Sequence, residues 1–543
     1  MKKTKPSKKN MNHDVRERAN EPVIKKVAKP PKKKVQAKKV QPEKIQTAKV
    51  RTVKAVRTEE PEKETASGGT RRVRESRINR EMLFITYVFV VLFVMVIGNM
   101  VYFVAARSGD VINSPYNYRQ DILAERVVRG SILSSDGTVL AETVTNSKGK
   151  ETRKYPYNNM FCHVVGRFNK SKTGIEASQD FTLLTSHDNA IKNAITELSG
   201  EKTIGDNVYT TLNFDLQKTA YEALGNRRGA VVALEPGTGK VLAMVSKPDY
   251  DPNRVDELWE SLIDDEQKES ALFNRATQGL YPPGSTFKIL TALEYLRENS
   301  GYKNYSFRCE GKTIVSGVPV SCYNNKVHGQ LDLIAAFAKS CNGAFASIGS
   351  ELDMAKFRAL CESFVFNQAL PTALTTEKSQ FVLNEKSDKG EIPLTAIGQG
   401  DTLLTPLHNA MIAATVANGG VMMKPYVIDR VESSTGSVVE KYSPEVYDTL
   451  MTAKEAKTLT KMMKKVVEEG TGRSLKNSSY SVAGKTGSAE NDQGAAHAWF
   501  VGFAPADNPE IVVCVVVENV GAGSEYAVPI AKRVLNTYFS KTK

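Results

Sequence analysis

From Met82 to Ala106 the chain runs for twenty-five residues without a charged side chain. At about 1.5 Å per helical residue, such a segment is longer than the roughly 30 Å hydrocarbon core of a bilayer. Thr86, Asn99 and two tyrosines are its most polar members. An apolar run of this length is out of place inside a soluble domain. It also starts too far from the N-terminus, and runs too long, for a cleaved signal peptide. The expectation is one transmembrane helix over 82–106, with the rest of the chain divided between its two sides.

Charge orients the span. Arg71, Arg72, Arg74, Arg77 and Arg80 precede it, and only Arg107 follows closely. The positive-inside rule puts residues 1–81 in the cytoplasm and residues from 107 outside, as a single-pass protein of the cell membrane. The net charge of +14 is not spread evenly: residues 1–80 hold 26 Lys+Arg against 9 Asp+Glu, and the remainder holds 48 against 51. The folded part is close to neutral, so no nucleic-acid partner is expected. The tail has too few large apolar residues to offset its ordering entropy and is expected to be disordered. Its basicity suits anionic lipid, a cytoplasmic partner or plain solvation.

Residues 107–205 read as a small, mainly β unit. Arg129-Gly130-Ser131-Ile132-Leu133, the turn Ser135-Asp136-Gly137 and Thr138–Ala141 predict strand, turn, strand. A polar, glycine-bearing stretch around 198–207 marks a boundary, leaving 206–543 as a second unit. There, Leu212–Leu224 has helical spacing after a Thr210-Thr211 start. Val231–Leu234 and Val241–Val245 form one hairpin, and Ala498–Ala504 and Ile511–Val517 another. Between them, about 285–418 is mostly helical, and a last helix covers Val528–Phe539. Strands at both ends with helices between predict an α+β fold, one antiparallel sheet with helices packed on it.

Three short elements in this unit carry chemistry. In Tyr281-Pro282-Pro283-Gly284-Ser285-Thr286-Phe287-Lys288, the Pro-Pro-Gly turn stops any preceding element and the apolar run Ile289–Leu296 starts a helix. Ser285 is thereby placed at a helix N-terminus, where free N–H groups favour developing negative charge. Lys288 lies one turn on, a base for the serine hydroxyl if it is neutral. Ser-x-x-Lys alone is weak, since Ser147–Lys150, Ser300–Lys303 and Ser540–Lys543 repeat it. The second element, Ser340-Cys341-Asn342, offers a proton relay and an amide-binding side chain. It reads equally as a helix-ending serine and a C-terminal Asn cap. The third, Lys485-Thr486-Gly487 followed by Ser488, lies in a small-residue strand where a peptide can be added as a further strand. Lys485 would bind a carboxylate and keep Lys288 less basic, and the N–H groups of Ser285 and Ser488 would form an oxyanion hole. An edge strand with a solvated lysine is the ordinary alternative. Lys172-Thr173-Gly174 repeats the motif ahead of Ser285 and reads as structural.

The six cysteines show no Cys/His cluster at metal-ligand spacing, so no metal is expected. Cys309 and Cys322 are open to two readings, a disulfide or buried free thiols.

Together the three elements, in this order and 55 and then 145 residues apart, resemble the site of penicillin-recognising enzymes. The chain resembles class B penicillin-binding proteins over about 107–543, and the small division-type members in its short first exported unit. Further matching stretches are Ala230–Asn253, Asn274-Arg275-Ala276, His328-Gly329, Gly398-Gln399-Gly400, Asn418-Gly419-Gly420, Trp499-Phe500-Val501-Gly502 and Arg129-Gly130-Ser131-Ile132. Ser134-Ser135-Asp136 departs from the family's acidic-basic-Asn run. The resemblance implies a penicillin-binding/serine β-lactamase-like transpeptidase domain with a helical subdomain, preceded by a pedestal- or dimerisation-like domain. It implies a D,D-transpeptidase in which Ser285 attacks a D-Ala–D-Ala carbonyl of peptidoglycan stem peptides. Lys288 would be the base, Ser340 would aid the leaving amine, and Asn342, Lys485, Thr486, Gly487 and Ser488 would complete the site. β-Lactams would acylate the same serine. A membrane-embedded glycan polymerase is the implied partner, with no cofactor and no metal. A D,D-carboxypeptidase, a class D-like β-lactamase, and a non-catalytic β-lactam sensor or division scaffold are the alternatives.

Overall fold

A computed structural model describes residues 71–103, 119–264, 270–476, 478–492 and 494–541. Most of the expected disordered tail, residues 1–70, and the junction after the span, 104–118, lie outside the described residues. The apolar helix runs over Arg71–Tyr102, so it takes in residues 71–81, which the sequence places in the tail. Arg and Glu are good helix formers, and a turn already nucleated by the apolar segment extends through them at little cost. Within it, the 23 residues Arg80–Tyr102 have a hydropathy of 2.5 and none of the apolar window is buried. This helix is long and apolar enough to cross a bilayer.

From residue 119 onward the centre is a five-stranded antiparallel sheet. Its strands are β1 (Gly229–Leu234), β2 (Val241–Lys247), β3 (Ala483–Ala489), β4 (His497–Ala504) and β5 (Ile511–Val517), in the spatial order β3-β4-β5-β1-β2. The two sequence halves meet where β5 pairs with β1, from Val512 opposite Leu234 to Val517 opposite Gly229. Every residue of β5 is buried, because both faces of the sheet are covered. Val513 and Val515 face the helices Phe214–Leu224 and Gly523–Lys541, packing with Leu216, Ala531 and Leu535. Val512, Cys514 and Val516 face the other core, which holds Leu407, Ala410 and Met411 of the helix Pro406–Ala417. This is the period of two read from both sides at once, so the strand appears in sequence as an unbroken apolar run.

Two local expectations are corrected. Helix Phe214–Leu224 starts later than Thr210-Thr211 implied. Asn213 is its cap, accepting from the Leu216 N–H at 3.0 Å, while Thr210 ends a strand and the Thr211 hydroxyl donates to the Val241 carbonyl at 2.6 Å. The middle segment is not helical throughout. Lys312–Val315 pairs with Val318–Ser321, and Phe307–Cys309 with Gly329–Leu331. Strands of three or four residues are too short to leave a periodic signal.

The sheet begun by residues 132–154 crosses the boundary expected near 205. Ile132–Leu133, Val139–Thr145, Glu151–Lys154 and Asn207–Thr210 are joined by Ile428–Glu432 and Val438–Lys441 from far along the chain. That hairpin covers the backbone edge of Asn207–Thr210, which would otherwise be open to pairing.

Beside this sheet lies a buried ion network. Arg129 donates from Nε to Glu176 at 2.8 Å, from Nη2 to the Glu176 carbonyl at 2.7 Å, and from Nη1 to Asp180. Arg153 reaches Glu176 and Lys172 reaches Asp180, each at 2.7 Å. Lys172 of the repeated Lys-Thr-Gly is therefore an ion-pair partner in this segment. Burial pushes the Glu176 carboxyl up, but Arg153 and Arg129 outweigh it and hold the group below its ordinary value. Arg129→Ala would leave two buried carboxylates each short of a cation, at a cost of about 3–5 kcal/mol. Thermal unfolding of the full-length protein in detergent should show a midpoint lowered by several degrees, with Arg129→Lys falling between. An unchanged midpoint would mean that the network carries no stability.

Candidate active site

Pro282-Pro283-Gly284 breaks the chain after Tyr281, and the turn that follows is braced from three directions. Trp499 Nε1 donates to the Pro282 carbonyl at 3.0 Å. The Gly284 N–H donates to the Gly398 carbonyl at 2.8 Å. Asn409 Nδ2 donates to the Thr286 hydroxyl at 3.2 Å, which itself donates to the Pro283 carbonyl at 2.8 Å. Ser285 sits in a short 3-10 turn, Gly284–Thr286, one step ahead of the helix Lys288–Glu298 rather than in its first turn. It is partly exposed, whereas Lys288 is fully buried.

The Ser340 region is built from two helices. Leu333–Ala338 ends, Ser340 takes a left-handed φ of +54°, and Asn342 opens the helix Asn342–Glu351. Asn342 thus begins a helix and does not cap the previous one. A serine in the left-handed region is strained unless its surroundings hold it there. Here both buried lysines do so. Lys288 Nζ donates to the Ser340 carbonyl at 3.0 Å and to Asn342 Oδ1 at 2.7 Å. Lys485 Nζ donates to Ser340 Oγ at 2.8 Å, and Lys288 Nζ lies 3.5 Å from the same oxygen.

β3, the edge strand of the sheet, forms the remaining side. Thr486, Gly487 and Ser488 line an open cleft of about 790 Å³, together with Ser285, Ser340 and Asn342. The three sequence elements therefore converge on one cleft. Lys485 departs from the expectation that it would meet a ligand directly. It is turned inward to Ser340, the Thr486 carbonyl and the ring of Phe337, whose centroid is 5.6 Å away. The residues of β3 that line the cleft are Thr486, Gly487 and Ser488; the Thr486 hydroxyl is hydrogen-bonded to Thr471, and the Ser488 hydroxyl accepts from the Gly523 N–H at 3.2 Å.

Electrostatics follow from this burial. Burial pushes Lys288 down to about 8, against the opposing pull of the Cys341 and Cys322 sulfurs. Burial also pushes Lys485 well below its ordinary value, and the neighbouring Lys288 charge adds to the effect. Two ammonium groups sharing one dry pocket disfavour each other, so a neutral amine is available beside the cleft at mild pH.

Two parts of the site were missed. Cys309, Cys322, His328 and Cys341 offer ligand atoms that all lie within 4.8 Å of one another, against the expectation of no metal cluster. Their separations of 13, 6 and 13 residues form no local motif, because two short strand pairs, one nested within the other, bring them together. Gly398 and Trp499 lie in stretches that carry the family resemblance but nothing there signals a bracing role, and Asn409 carries no local signal. A side chain at Gly398, whose φ is +82°, would overlap the backbone of Gly284, whereas at Gly400, with φ +77°, the nearest atom is Thr395 Oγ1 at 3.7 Å. Gly400→Ala should therefore cost only left-handed strain, about 1–2 kcal/mol. Gly398→Ala adds the overlap, and denaturant unfolding should rank it clearly the more damaging. Equal losses would show that the Gly398–Gly284 approach is not tight.

Comparison with known proteins agrees with this arrangement. Residues 229–536 match the penicillin binding protein transpeptidase domain, and residues 129–208 the penicillin binding protein A dimerisation domain. The peptidoglycan D,D-transpeptidase PbpA of Mycolicibacterium smegmatis is 31% identical over 488 residues, covering 84% of this chain and 98% of that protein. The D,D-transpeptidase domain of a peptidoglycan glycosyltransferase from Eggerthella lenta superposes with a TM-score of 0.70 at 32% identity, over 77% of this chain and 99% of that one. Penicillin-binding protein A of Mycobacterium tuberculosis, solved as an imipenem acyl-enzyme complex, does so with a TM-score of 0.71 at 31% identity, over 77% and 99%. The transpeptidase match spans more than half the sequence, and its residues include all three elements gathered on the cleft: the chain belongs to the penicillin-binding transpeptidases of class B.

Proposed function

We propose that this protein is a membrane-anchored peptidoglycan D,D-transpeptidase that works through an acyl-enzyme on Ser285. The observation that carries the reading is the convergence of Ser285, Lys288, Ser340, Asn342 and β3 around one cleft, with a buried lysine whose pKa is near 8. A stem peptide lies along the open edge of β3 as an added strand. Ser285 Oγ attacks the carbonyl of the penultimate D-Ala and its proton passes to neutral Lys288. The N–H groups of Ser285 and Ser488 receive the oxyanion. The C–N bond breaks, and the departing D-Ala amine takes a proton through Ser340, which touches both lysines. An amine of a neighbouring stem then attacks the ester, releasing Ser285 and closing the cross-link. The terminal carboxylate of the donor rests on the Thr486 and Ser488 hydroxyls, with Lys485 behind them as the electrostatic partner. Asn342 positions Lys288 and the substrate amide. The apolar helix anchors the enzyme with its N-terminus in the cytoplasm and the cleft outside. β-Lactams enter as mimics of the D-Ala–D-Ala unit, and a membrane-embedded glycan polymerase supplies the strands.

Two measurements test this on the full-length protein in detergent. Peptide mass mapping after benzylpenicillin should find one stable adduct on the Ser285 peptide, absent in Ser285→Ala. Rapid loss of the adduct with penicillin turnover would favour a β-lactamase, and no adduct would favour a non-catalytic scaffold. The second is the pH dependence of acylation. Lys288 accepts the proton only when neutral, and its neutral fraction grows as pH rises through about 8. The acylation rate should climb by about tenfold per pH unit below that value and level off above it. A rate independent of pH between 6 and about 8 would remove Lys288 as the base.

A further inference from the structure

Tyr281 opens the element that presents Ser285, and its hydroxyl is held from far along the chain. It donates to Glu518 Oε1 at 2.7 Å. The same oxygen accepts from Arg275 Nε at 2.7 Å, and Glu518 Oε2 accepts from Arg228 Nε at 3.0 Å. One carboxylate thus receives donors from three separate parts of the sequence. Tyr281 and Arg275 are buried, and the Glu518 side chain is only 10% exposed. Burial pushes the Glu518 carboxyl up, but Arg275, the Tyr281 hydroxyl and Arg228 outweigh it and hold the group below its ordinary value. Burial, and then the Glu518 charge, push the Tyr281 hydroxyl well above its ordinary value. The phenol keeps its proton and the carboxylate its charge, which is the pairing of a charge-assisted hydrogen bond.

The partners of Tyr281 are themselves tied to the central sheet. Glu518 follows β5, and its N–H donates to the Arg228 carbonyl at 2.8 Å, just beyond the Val517–Gly229 pair that ends the β5–β1 register. The Arg275 N–H donates to Ser246 Oγ of β2 at 2.8 Å. The carboxylate therefore ties the ends of β5 and β1 and a side chain anchored on β2 to a single phenol. The Tyr281 ring stands edge-on to His497 and Trp499 of β4, with centroids 5.5 and 6.0 Å away. Its backbone N–H donates to the Leu404 carbonyl at 3.2 Å. From there to Ser285 the chain has little freedom. Pro282 and Pro283 have fixed φ, the Pro282 carbonyl is bound by Trp499, and the Gly284 N–H by Gly398. A displacement of the phenol is carried to Ser285 instead of being absorbed.

We propose that Glu518 is a positioning residue for acylation: clamped by Arg228 and Arg275, it holds Tyr281 and so locks the Pro-Pro-Gly turn with Ser285 Oγ in line for attack. Neither Glu518 nor Tyr281 takes part in bond making, and none of the four lines the cleft around Ser285. The inference rests on the reading of Ser285 as nucleophile given above. It also gives a task to Arg275, whose Asn274-Arg275-Ala276 stretch otherwise carries only a resemblance.

The test is the kinetics of benzylpenicillin acylation in the full-length protein in detergent, followed over a range of drug concentrations and of pH. Tyr281→Phe keeps the ring against His497 and Trp499 and keeps both ion pairs of Glu518. The carboxylate also borders an open cavity of about 840 Å³, so water can replace the lost hydroxyl and the fold is retained. The acylation rate at saturating drug should fall by about tenfold or more, with the half-saturating concentration unchanged. The pH midpoint should stay at about 8, because Lys288 is untouched, and the final labelled fraction should match the wild type. Glu518→Gln should slow acylation at least as much, and Tyr281→Phe decides the matter if that variant folds poorly. Wild-type rates in Tyr281→Phe would overturn the proposal. So would a smaller labelled fraction reacting at the wild-type rate, which is the mark of a role in folding alone. A displaced pH midpoint would overturn it too, by showing that the network acts on Lys288. Absence of a Ser285 adduct in the wild type itself would sink the nucleophile and this inference with it, whereas slowed variants beside an inert Ser285→Ala uphold both.

Discussion

The site depends on the pairing of β5 with β1. Nearly three hundred residues separate these strands in sequence, and six pairs of residues bring them together at the centre of a sheet buried on both faces. Because β3 and β4 are stitched to β5, that pairing also sets where Lys485 stands relative to Ser285, which follows β2 by way of the braced turn. Trp499, in the middle of β4, shows the coupling at one residue: its ring is buried in the core and its Nε1 holds the Pro282 carbonyl. The continuous burial of β4 and β5 is thus a positional device as well as a source of stability, since a dense core transmits displacement instead of absorbing it.

Against this apolar frame, the two buried lysines are the costly element. Each has left water, and each lies close enough to the other to be penalised by its charge. What holds them is a set of neutral acceptors: the Ser340 carbonyl and hydroxyl, Asn342 Oδ1 and the Thr486 carbonyl. No carboxylate partner is paired with either amine among the described ion pairs. A carboxylate would stabilise both ammonium forms and remove the neutral amine that the proposed proton transfer needs. The strained backbone of Ser340 belongs to the same arrangement, because its left-handed φ turns the carbonyl to one lysine and the hydroxyl to the other.

The sequence made the sheet legible because strands buried on two faces leave unmistakable apolar runs, as in Ile511–Val517 and Val231–Leu234. It made the three chemical elements legible because each has a short signature with a turn or helix beside it. What it hid depends on contacts across long distances. Asn409 lies in a mostly apolar helix beside His408, with nothing to say that it would meet Thr286. Lys485 reads as a cleft-facing cation because side-chain alternation on an edge strand cannot tell which face is covered. The cysteines were invisible as a group because their ligand spacing exists only in the folded strand pairs, and the strands themselves are too short to be periodic.

The interleaved N-terminal sheet continues the same logic outward. The hairpin Ile428–Glu432 and Val438–Lys441 completes a sheet begun by residues 132–210, and its tip is gripped by Asp188, which accepts from Ser434 Oγ at 2.5 Å and from Thr435 Oγ1 at 3.0 Å. Those hydrogen bonds, led by Ser434, hold Asp188 down to about 2, so the carboxylate stays ionised and the grip persists across any pH at which the site works. The same hairpin follows the helix Pro406–Ala417, which packs under the sheet and carries Asn409 to Thr286. A continuous run of packed elements therefore joins residues 132–210 to the turn that presents Ser285. Residues 119–210 support the site's geometry directly, as part of the same covalent and hydrogen-bonded frame.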